Sequence, residues 1–281
     1  MPSNEISSSL RAIPTDFDAD AVSEIDRRLD VISGENDVRI LWAIESGSRA
    51  WGFPSPDSDY DARFIYVRTV EKYVGPWHPR DVIEMPIEDD MDVNGWDLGK
   101  AIKLMLKGNA VVLEWLQSSI VYQGDPAFQR QMVELAEHCT ERPHFIRHYF
   151  HLGSKQWERF LNYGTDAPIK KLFYAARPAL CLRWLRLDDQ RKIPPMNFQA
   201  LLEGAETPPT VFAHLSEMVA TKAKTREMGN APISAEIGAF IQNEYDLAQT
   251  ALSGSEHGQS NDHIKRASKL FYDTALRYSK R

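Results

Sequence analysis

Two acidic residues one position apart, Asp59 and Asp61, follow a Gly47-Ser48 pair after ten intervening residues. Strand side chains alternate between two faces, so both carboxylates are expected on one face, where they can share divalent cations. Mg²⁺ is commonly bound through a few carboxylates and the phosphate oxygens of a substrate, and two such ions can assist nucleotidyl transfer. Gly47 lets the backbone approach a phosphate, and Ser48 offers a hydroxyl and a backbone N–H. The spacing predicts a site for a nucleoside triphosphate (NTP) and two Mg²⁺ or Mn²⁺ ions.

Apolar runs on both sides of this motif predict the strands that position it. Residues 38–44 precede the Gly-Ser pair, and residues 61–68 begin at the second aspartate. Residues 81–85 and 91–96 are further predicted strands. A helix is predicted over 98–107, because an aspartate stands at its N-cap position and a glycine follows its end.

The motif resembles that of the DNA polymerase β-like nucleotidyltransferases, and this resemblance implies a third metal-binding acid on a neighbouring strand. Asp92 lies inside a short strand-like run and is the first candidate. Asp97 and Glu84 remain alternatives, although helix capping already explains Asp97 and Glu84 also fits a solvated strand residue. Arg63 shares strand parity with Asp61, so it is predicted to face the metal site and contact phosphate, or to form a solvated ion pair.

These residues resemble the signature of the DNA polymerase β-like nucleotidyltransferase superfamily. The branch of predicted nucleotidyltransferases associated with RNA ligases and RNA repair is the most similar. The likeness extends over three segments in order, from Glu45-Ser-Gly-Ser-Arg-Ala-Trp-Gly52 with Ser58-Asp-Tyr-Asp-Ala-Arg63, through Trp96-Asp-Leu-Gly-Lys100, to Lys170-Lys-Leu-Phe-Tyr-Ala-Ala-Arg-Pro178.

The resemblance implies an α+β protein with an N-terminal polymerase β-like nucleotidyltransferase domain and a C-terminal all-helical domain. Periodicity is helical almost throughout beyond residue 125. We therefore expect a catalytic domain at 1–124, a helical substrate-binding domain at 125–252, and a linker with a final helix at 253–281. The resemblance also implies transfer of a nucleoside monophosphate to an RNA 3′ end, with an RNA ligase as a possible partner.

A predicted helix over 167–187 carries the second group of candidate residues. Lys170, Tyr174 and Arg177 are spaced i, i+4, i+7 and share one helix face. Two cations around a tyrosine can hold a triphosphate while the ring stacks on a base. The competing interpretation is an amphipathic helix whose tyrosine is half-buried.

Composition limits the class of protein. The 281 residues carry a formal net charge of −7, which argues against a general nucleic-acid-coating protein. Residues 1–96 carry 9 Lys+Arg and 20 Asp+Glu, whereas residues 155–192 carry 9 Lys+Arg and 4 Asp+Glu. The chain has 2 cysteines, no apolar run long enough to span a membrane and no signal peptide, so we expect a cytoplasmic protein.

Other interpretations of the acidic motif stay open to different degrees. A calcium loop starting at Asp57 requires glycine and glutamate where this chain has Ala62 and Arg68. Within the same superfamily, the nucleotide could instead be transferred to a small molecule or a protein. A non-catalytic nucleotide-binding protein is the third possibility, although the intact Gly-Ser and Asp-x-Asp argue against a degenerate site.

Overall fold

A computed structural model of the chain describes residues 9–161, 167–226, 229–231, 233–252 and 260–279. The architecture is mixed α+β: a six-stranded sheet in the N-terminal region is flanked by helices, and the remainder is helical. The predicted fold class is therefore confirmed.

The main sheet is mixed and is formed by the N-terminal region. Its strands are β1 (Leu10–Ala12), β2 (Val38–Glu45), β3 (Tyr60–Arg68), β4 (Val82–Glu84), β5 (Met91–Asp97) and β6 (Val121–Gly124). They lie in the order β1-β6-β2-β3-β5-β4. Only β3 and β5 of this sheet run parallel; the other neighbours are antiparallel. β7 (Ala167–Pro168) and β8 (Asn230–Ala231) form a separate small sheet.

Twelve helices are present in the described part of the chain. They are α1 (Ala19–Asn36), α2 (Gly47–Trp51), α3 (Val70–Val74), α4 (Leu98–Leu106), α5 (Ala110–Gln117), α6 (Pro126–Cys139), α7 (Arg142–Leu161), α8 (Ile169–Leu187), α9 (Phe198–Gly204), α10 (Pro209–Lys222), α11 (Ala235–Leu252) and α12 (Asn261–Ser279). Asp18, Asp97 and Asn109 cap α1, α4 and α5 by accepting backbone N–H groups with their side chains.

The two faces of β3 pack against different cores. Phe64 and Tyr66 belong to a core with α1 residues, whereas Ile65 and Val67 belong to a larger core that extends through the helices up to α12. Because side chains alternate along a strand, Asp61 lies on the face of the larger core. The candidate site is therefore at one end of the sheet, on the side where the C-terminal helices pack.

Four predicted strands are confirmed within one or two residues, but the sequence predicted no strand at β1 or β6. The four residues of β6 end in Gln123 and Gly124 and offer too little alternation to be recognised. Gly124 is required there because a Cβ would lie 2.1 Å from the ring of Trp42. β6 therefore depends on its partner β2, not on a pattern of its own.

The final helix lies against the N-terminal region. α12 packs on β3, α3, α4 and α6, and the Tyr278 hydroxyl donates a hydrogen bond to Asp125. Arg277 lies 3.5 Å from the same carboxylate. The predicted boundaries at residues 124 and 252 remain predictions. None of the helices in the described ranges is both long and apolar enough to cross a bilayer.

A buried carboxylate joins two helices of the C-terminal half. Glu244 on α11 has a side chain only 1% exposed and accepts from Arg183 at 3.0 Å and Arg186 at 2.9 Å, both on α8. Breaking a buried ion pair leaves charge without its partner and is strongly destabilising.

We expect Glu244→Ala to lower the free energy of unfolding by about 2 kcal/mol, less than for a fully buried pair because both arginines reach solvent. Thermal unfolding should show a midpoint lower by about 4–8 °C. Asn243→Ala, at the exposed neighbouring position, is the control. Equal midpoints for both variants would contradict a stabilising role of Glu244.

Candidate active site

Asp61 and Asp92 are direct neighbours on adjacent strands. The parallel register of β3 and β5 aligns Asp61 with Asp92 and Arg63 with Asn94. Both carboxylates are 28% exposed, so they remain open to solvent at the sheet end. The predicted first candidate for the third carboxylate is thus adjacent to Asp61, on the same face of the sheet.

Arg63 lies between the two carboxylates. Its Nη2 donates to Asp61 Oδ1 at 2.8 Å and to Asp92 Oδ2 at 2.7 Å, and its Nη1 donates to the Asp92 carbonyl at 2.6 Å. Two carboxylate oxygens within hydrogen-bond distance of one nitrogen face a common point. The guanidinium shows that this point suits a cation, and oxygen ligands of this kind are those that Mg²⁺ prefers.

Gly47 is required where β2 gives way to α2. Its backbone is left-handed, with φ of +57°, and a Cβ would lie 2.0 Å from Asp61 Oδ2. Only glycine adopts this conformation without strain and leaves room for the carboxylate. The motif glycine therefore fixes how closely Asp61 approaches the turn.

The hydroxyl of Ser48 is already hydrogen-bonded within the protein. Its Oγ donates to Ser58 Oγ at 3.0 Å, and Ser58 Oγ lies 2.9 Å from Ser55 Oγ. These contacts hold the beginning and the end of the loop together. A phosphate contact by Ser48, as the sequence predicts, would use its backbone N–H or require the hydroxyl to change partner.

Asp59 lies one residue before the start of β3, whereas the sequence predicted both Asp59 and Asp61 on this strand. It is exposed, and its carbonyl accepts from Arg49 Nε at 3.1 Å. The Arg49 guanidinium stacks 3.9 Å from the ring centre of Tyr60. Among the described residues, no three His, Cys, Asp or Glu side chains form a metal-binding group. The structure thus brings together two of the three predicted metal ligands.

The electrostatics of Asp61 nevertheless fit a cation site. Burial raises the pKa of its carboxyl, the nearby charges of Asp92 and Asp59 raise it further, and Arg63 opposes them. A carboxylate whose pKa is raised by burial and like charges is one whose charged form gains from an added cation. The carboxylate oxygens and the excess of negative charge at this site therefore fit the predicted divalent ion.

Tyr174 on α8 reaches this site from the helical half. Burial raises the pKa of its hydroxyl, and the charges of Asp61 and Asp59 add to the effect. Its ring meets Trp51 edge-on, with centroids 6.0 Å apart, and the Lys171 ammonium lies 5.8 Å from its centre. Tyr174 thus lies near the aspartates, and Trp51 and Lys171 lie beside its ring.

Comparison with known proteins identifies the family of this chain. The sequence model of the RNA repair pathway DNA polymerase beta family matches residues 22–273. The chain belongs to this family. It is also 38% identical to the uncharacterized protein YcgL of Bacillus subtilis (strain 168) over 214 residues, which are 76% of this chain and 81% of that protein. Membership in this RNA repair family supports a polymerase β-like nucleotidyltransferase in general terms.

Within this family member, the two alternative acids lie apart from the aspartate pair. Asp97 caps α4 and accepts from Gly99 N at 2.8 Å and from the Tyr73 hydroxyl at 2.8 Å. It lies five positions beyond Asp92 along β5, about 16 Å at the usual rise of a strand. Glu84 is exposed on the edge strand and pairs with Arg80 at 2.7 Å. Neither replaces Asp92 beside Asp61.

Arg177 is placed differently from the prediction that it contacts phosphate. It is 3% exposed, pairs with Glu114 at 2.9 Å and stacks 4.8 Å from the Trp51 ring centre. Its guanidinium is committed to protein partners and orients Trp51 instead of facing solvent. The side chain of Lys170, the third residue of the predicted face, lies outside the described residues, so its role remains a prediction.

Glu45 is a residue of the site that the sequence interpretation missed, beyond its place in the family motif. It is fully buried, and burial raises the pKa of its carboxyl to about 7. Its Oε1 accepts from the backbone N–H of Asp61 at 2.9 Å. An acid that ends an otherwise apolar strand is the signal that could have identified it.

We expect Gly47→Ala to displace the Asp61 carboxylate. An alanine costs about 1–2 kcal/mol in the left-handed conformation, and its Cβ would collide with Asp61. A Mn²⁺ titration followed by thermal unfolding should show a lower midpoint and a smaller stabilisation by the ion.

Two glycines separate these effects. Gly229→Ala introduces the same backbone strain, since φ is +54°, and its Cβ would meet no atom of the described residues within 4 Å. Gly34→Ala introduces no such strain, and its Cβ likewise meets none of the described atoms within that distance. Both should retain the wild-type response to Mn²⁺. A Gly47→Ala protein with that same response would show that the close approach to Asp61 has no bearing on ion binding.

Proposed function

We propose that this protein is a Mg²⁺-dependent nucleotidyltransferase that transfers a nucleoside monophosphate from an NTP to the hydroxyl of an RNA 3′ end. The supporting observation is the pair Asp61 and Asp92, aligned on parallel strands and closed on one side by Gly47. Membership in an RNA repair family supports RNA as the acceptor. An RNA ligase acting on the same ends is the partner that this role implies, and the cytoplasm is the compartment.

The three aspartates have distinct roles in this proposal. Asp61 and Asp92 would hold the ions jointly, and Asp59 would reach them from the loop before β3. Bound Mg²⁺ would neutralise the triphosphate and favour ionisation of the attacking hydroxyl. Asp92 accepts the proton of that hydroxyl, whose oxygen forms the new bond to the α-phosphorus while the bond to the leaving pyrophosphate breaks.

The loop and helix residues position the nucleotide. Gly47 and Ser48 present backbone N–H groups to the phosphates. Arg63, which is hydrogen-bonded to Asp61 and Asp92, offsets part of the negative charge when a phosphate binds beside these carboxylates. Tyr174 and Trp51 supply ring surfaces for the base.

A cationic small molecule is the second candidate acceptor, and one observation favours it. A pocket of about 490 Å³ lies beside Tyr60 and Ser58, and its lining includes five aspartates: Asp16, Asp18, Asp57, Asp89 and Asp90. Arg49 is its one basic lining residue within the described part of the chain. An acidic pocket of this size suits a small cation better than an RNA backbone.

The decisive experiment supplies each α-labelled NTP with Mg²⁺ or Mn²⁺ and total cellular RNA. We expect label on RNA with the wild type and a loss of at least about 100-fold with Asp59→Asn/Asp61→Asn, because the variant removes ion ligands. Asp30→Asn/Glu35→Gln, two exposed changes on α1, is the control for the loss of two acidic side chains.

The other acceptors give different products in the same experiment. Label on an added aminoglycoside, a cation that carries hydroxyl groups, but not on RNA, would support the acidic pocket and reject RNA. Label on protein would reject both. Binding of NTP without turnover on any acceptor would leave a nucleotide-binding protein and reject the transferase.

We expect Arg63→Gln to bind Mn²⁺ more tightly than the wild type when no nucleotide is present. The ion then no longer competes with the guanidinium that bridges Asp61 and Asp92. Paramagnetic resonance of free Mn²⁺ measures this affinity. Arg80→Gln, which removes an exposed arginine paired with Glu84, should leave it unchanged; weaker binding by Arg63→Gln would show that Arg63 supports the ion instead.

A further inference from the structure

The backbone N–H of Asp61 has no strand partner. The pairing of β2 with β3 ends at Glu45 opposite Ala62, because the chain turns away at Gly47. The N–H of Ser46 still donates to the Asp61 carbonyl at 2.9 Å. The N–H of Asp61 donates to the Glu45 side chain instead of to a backbone carbonyl. The Glu45 side chain thus takes the place of a backbone hydrogen-bond acceptor at Asp61, whose carboxylate faces the candidate ion site.

The other carboxylate oxygen of Glu45 also has a defined hydrogen-bond partner. Its Oε2 accepts from the Tyr122 hydroxyl at 2.6 Å, and Tyr122 is fully buried on β6. β6 and β3 lie on opposite sides of β2. The carboxylate therefore connects the two neighbours of its own strand, and its orientation is fixed from both sides.

The rest of Glu45 is equally constrained. Its N–H donates to the Ile120 carbonyl at 3.0 Å, and its carbonyl accepts from Ser118 Oγ at 2.7 Å. Burying an acid is unfavourable compared with packing an apolar side chain of similar size. Because burying this carboxylate at the end of an apolar strand is destabilising, we expect Glu45 to have a role at the site.

We propose that Glu45 is a positioning residue that sets the main chain of Asp61 so that its carboxylate lies level with Asp92 and against Gly47. Glu45 does not contact the ion or the substrate; it acts through the N–H of Asp61. This inference rests on the proposed function, because it assigns the orientation of Asp61 to ion binding.

Two substitutions at one position separate positioning from charge. Glu45→Gln retains both hydrogen bonds, since its amide oxygen can accept from Asp61 and its NH₂ can donate to Tyr122. Glu45→Met fills the same space and leaves the Asp61 N–H unpaired. Tyr122→Phe removes only the second contact and is the milder variant if Glu45→Met does not fold.

Mn²⁺ affinity, measured by paramagnetic resonance without nucleotide, is the principal readout, and Asp61→Asn identifies the signal of this site. We expect Glu45→Met to weaken Mn²⁺ binding about 10-fold, in the range found when groups that orient metal ligands are removed. Tyr122→Phe should weaken it less, and Glu45→Gln should restore it to near the wild-type value.

Thermal unfolding of the same proteins without ion separates this role from a merely structural one. Leu215→Ala, a core change on α10, should lower the midpoint without altering Mn²⁺ affinity. Glu45→Met or Tyr122→Phe with a lower midpoint but wild-type Mn²⁺ affinity would overturn the inference alone. A wild type that binds no Mn²⁺ at Asp61 would overturn the proposed function together with it.

Discussion

The approach of the Asp61 carboxylate to the backbone of Gly47 is the constraint on which the rest of the site depends. A single Cβ at Gly47 would occupy the space of Asp61 Oδ2. Gly47 is also left-handed, β2 ends at Glu45 just before it, and the N–H of Asp61 donates to the Glu45 side chain. The parallel register with β5 then places Asp92 beside Asp61. One steric condition thus links the turn, the strand end and the carboxylate pair.

Strand alternation predicted that Asp61 and Arg63 share one face of the sheet, but it did not predict what supports them. The structure places both residues beside Asp92, a candidate that came from the family resemblance and not from alternation. The contact between Glu45 and Tyr122 spans 77 residues and depends on β6, which has no recognisable pattern of its own. Sequence periodicity describes one strand at a time, so a side chain that connects three strands is invisible to it.

The burial of Arg177, which the sequence did not predict, has a related origin. Spacing of i, i+4, i+7 correctly places residues on one helix face, but it does not tell which part of that face is buried. α8 packs against both α7 and α11, so the end of the face near Arg177 is enclosed, whereas Tyr174 remains near Asp61 and Asp59. The same stripe thus contributes a residue to the site and a buried ion pair that supports it.

The helices of the C-terminal half pack directly against the loop that follows Gly47 and Ser48. Phe53, just beyond α2, stacks on Phe173 at 4.8 Å, and its carbonyl accepts from the buried Lys222 of α10 at 2.6 Å. Trp51 lies between Arg177 and Tyr174. Close packing transmits displacement between such contacts, so a shift of α8 would move the loop that carries Gly47. The helices therefore contribute to the geometry of the aspartates as well as to the ring surfaces beside them.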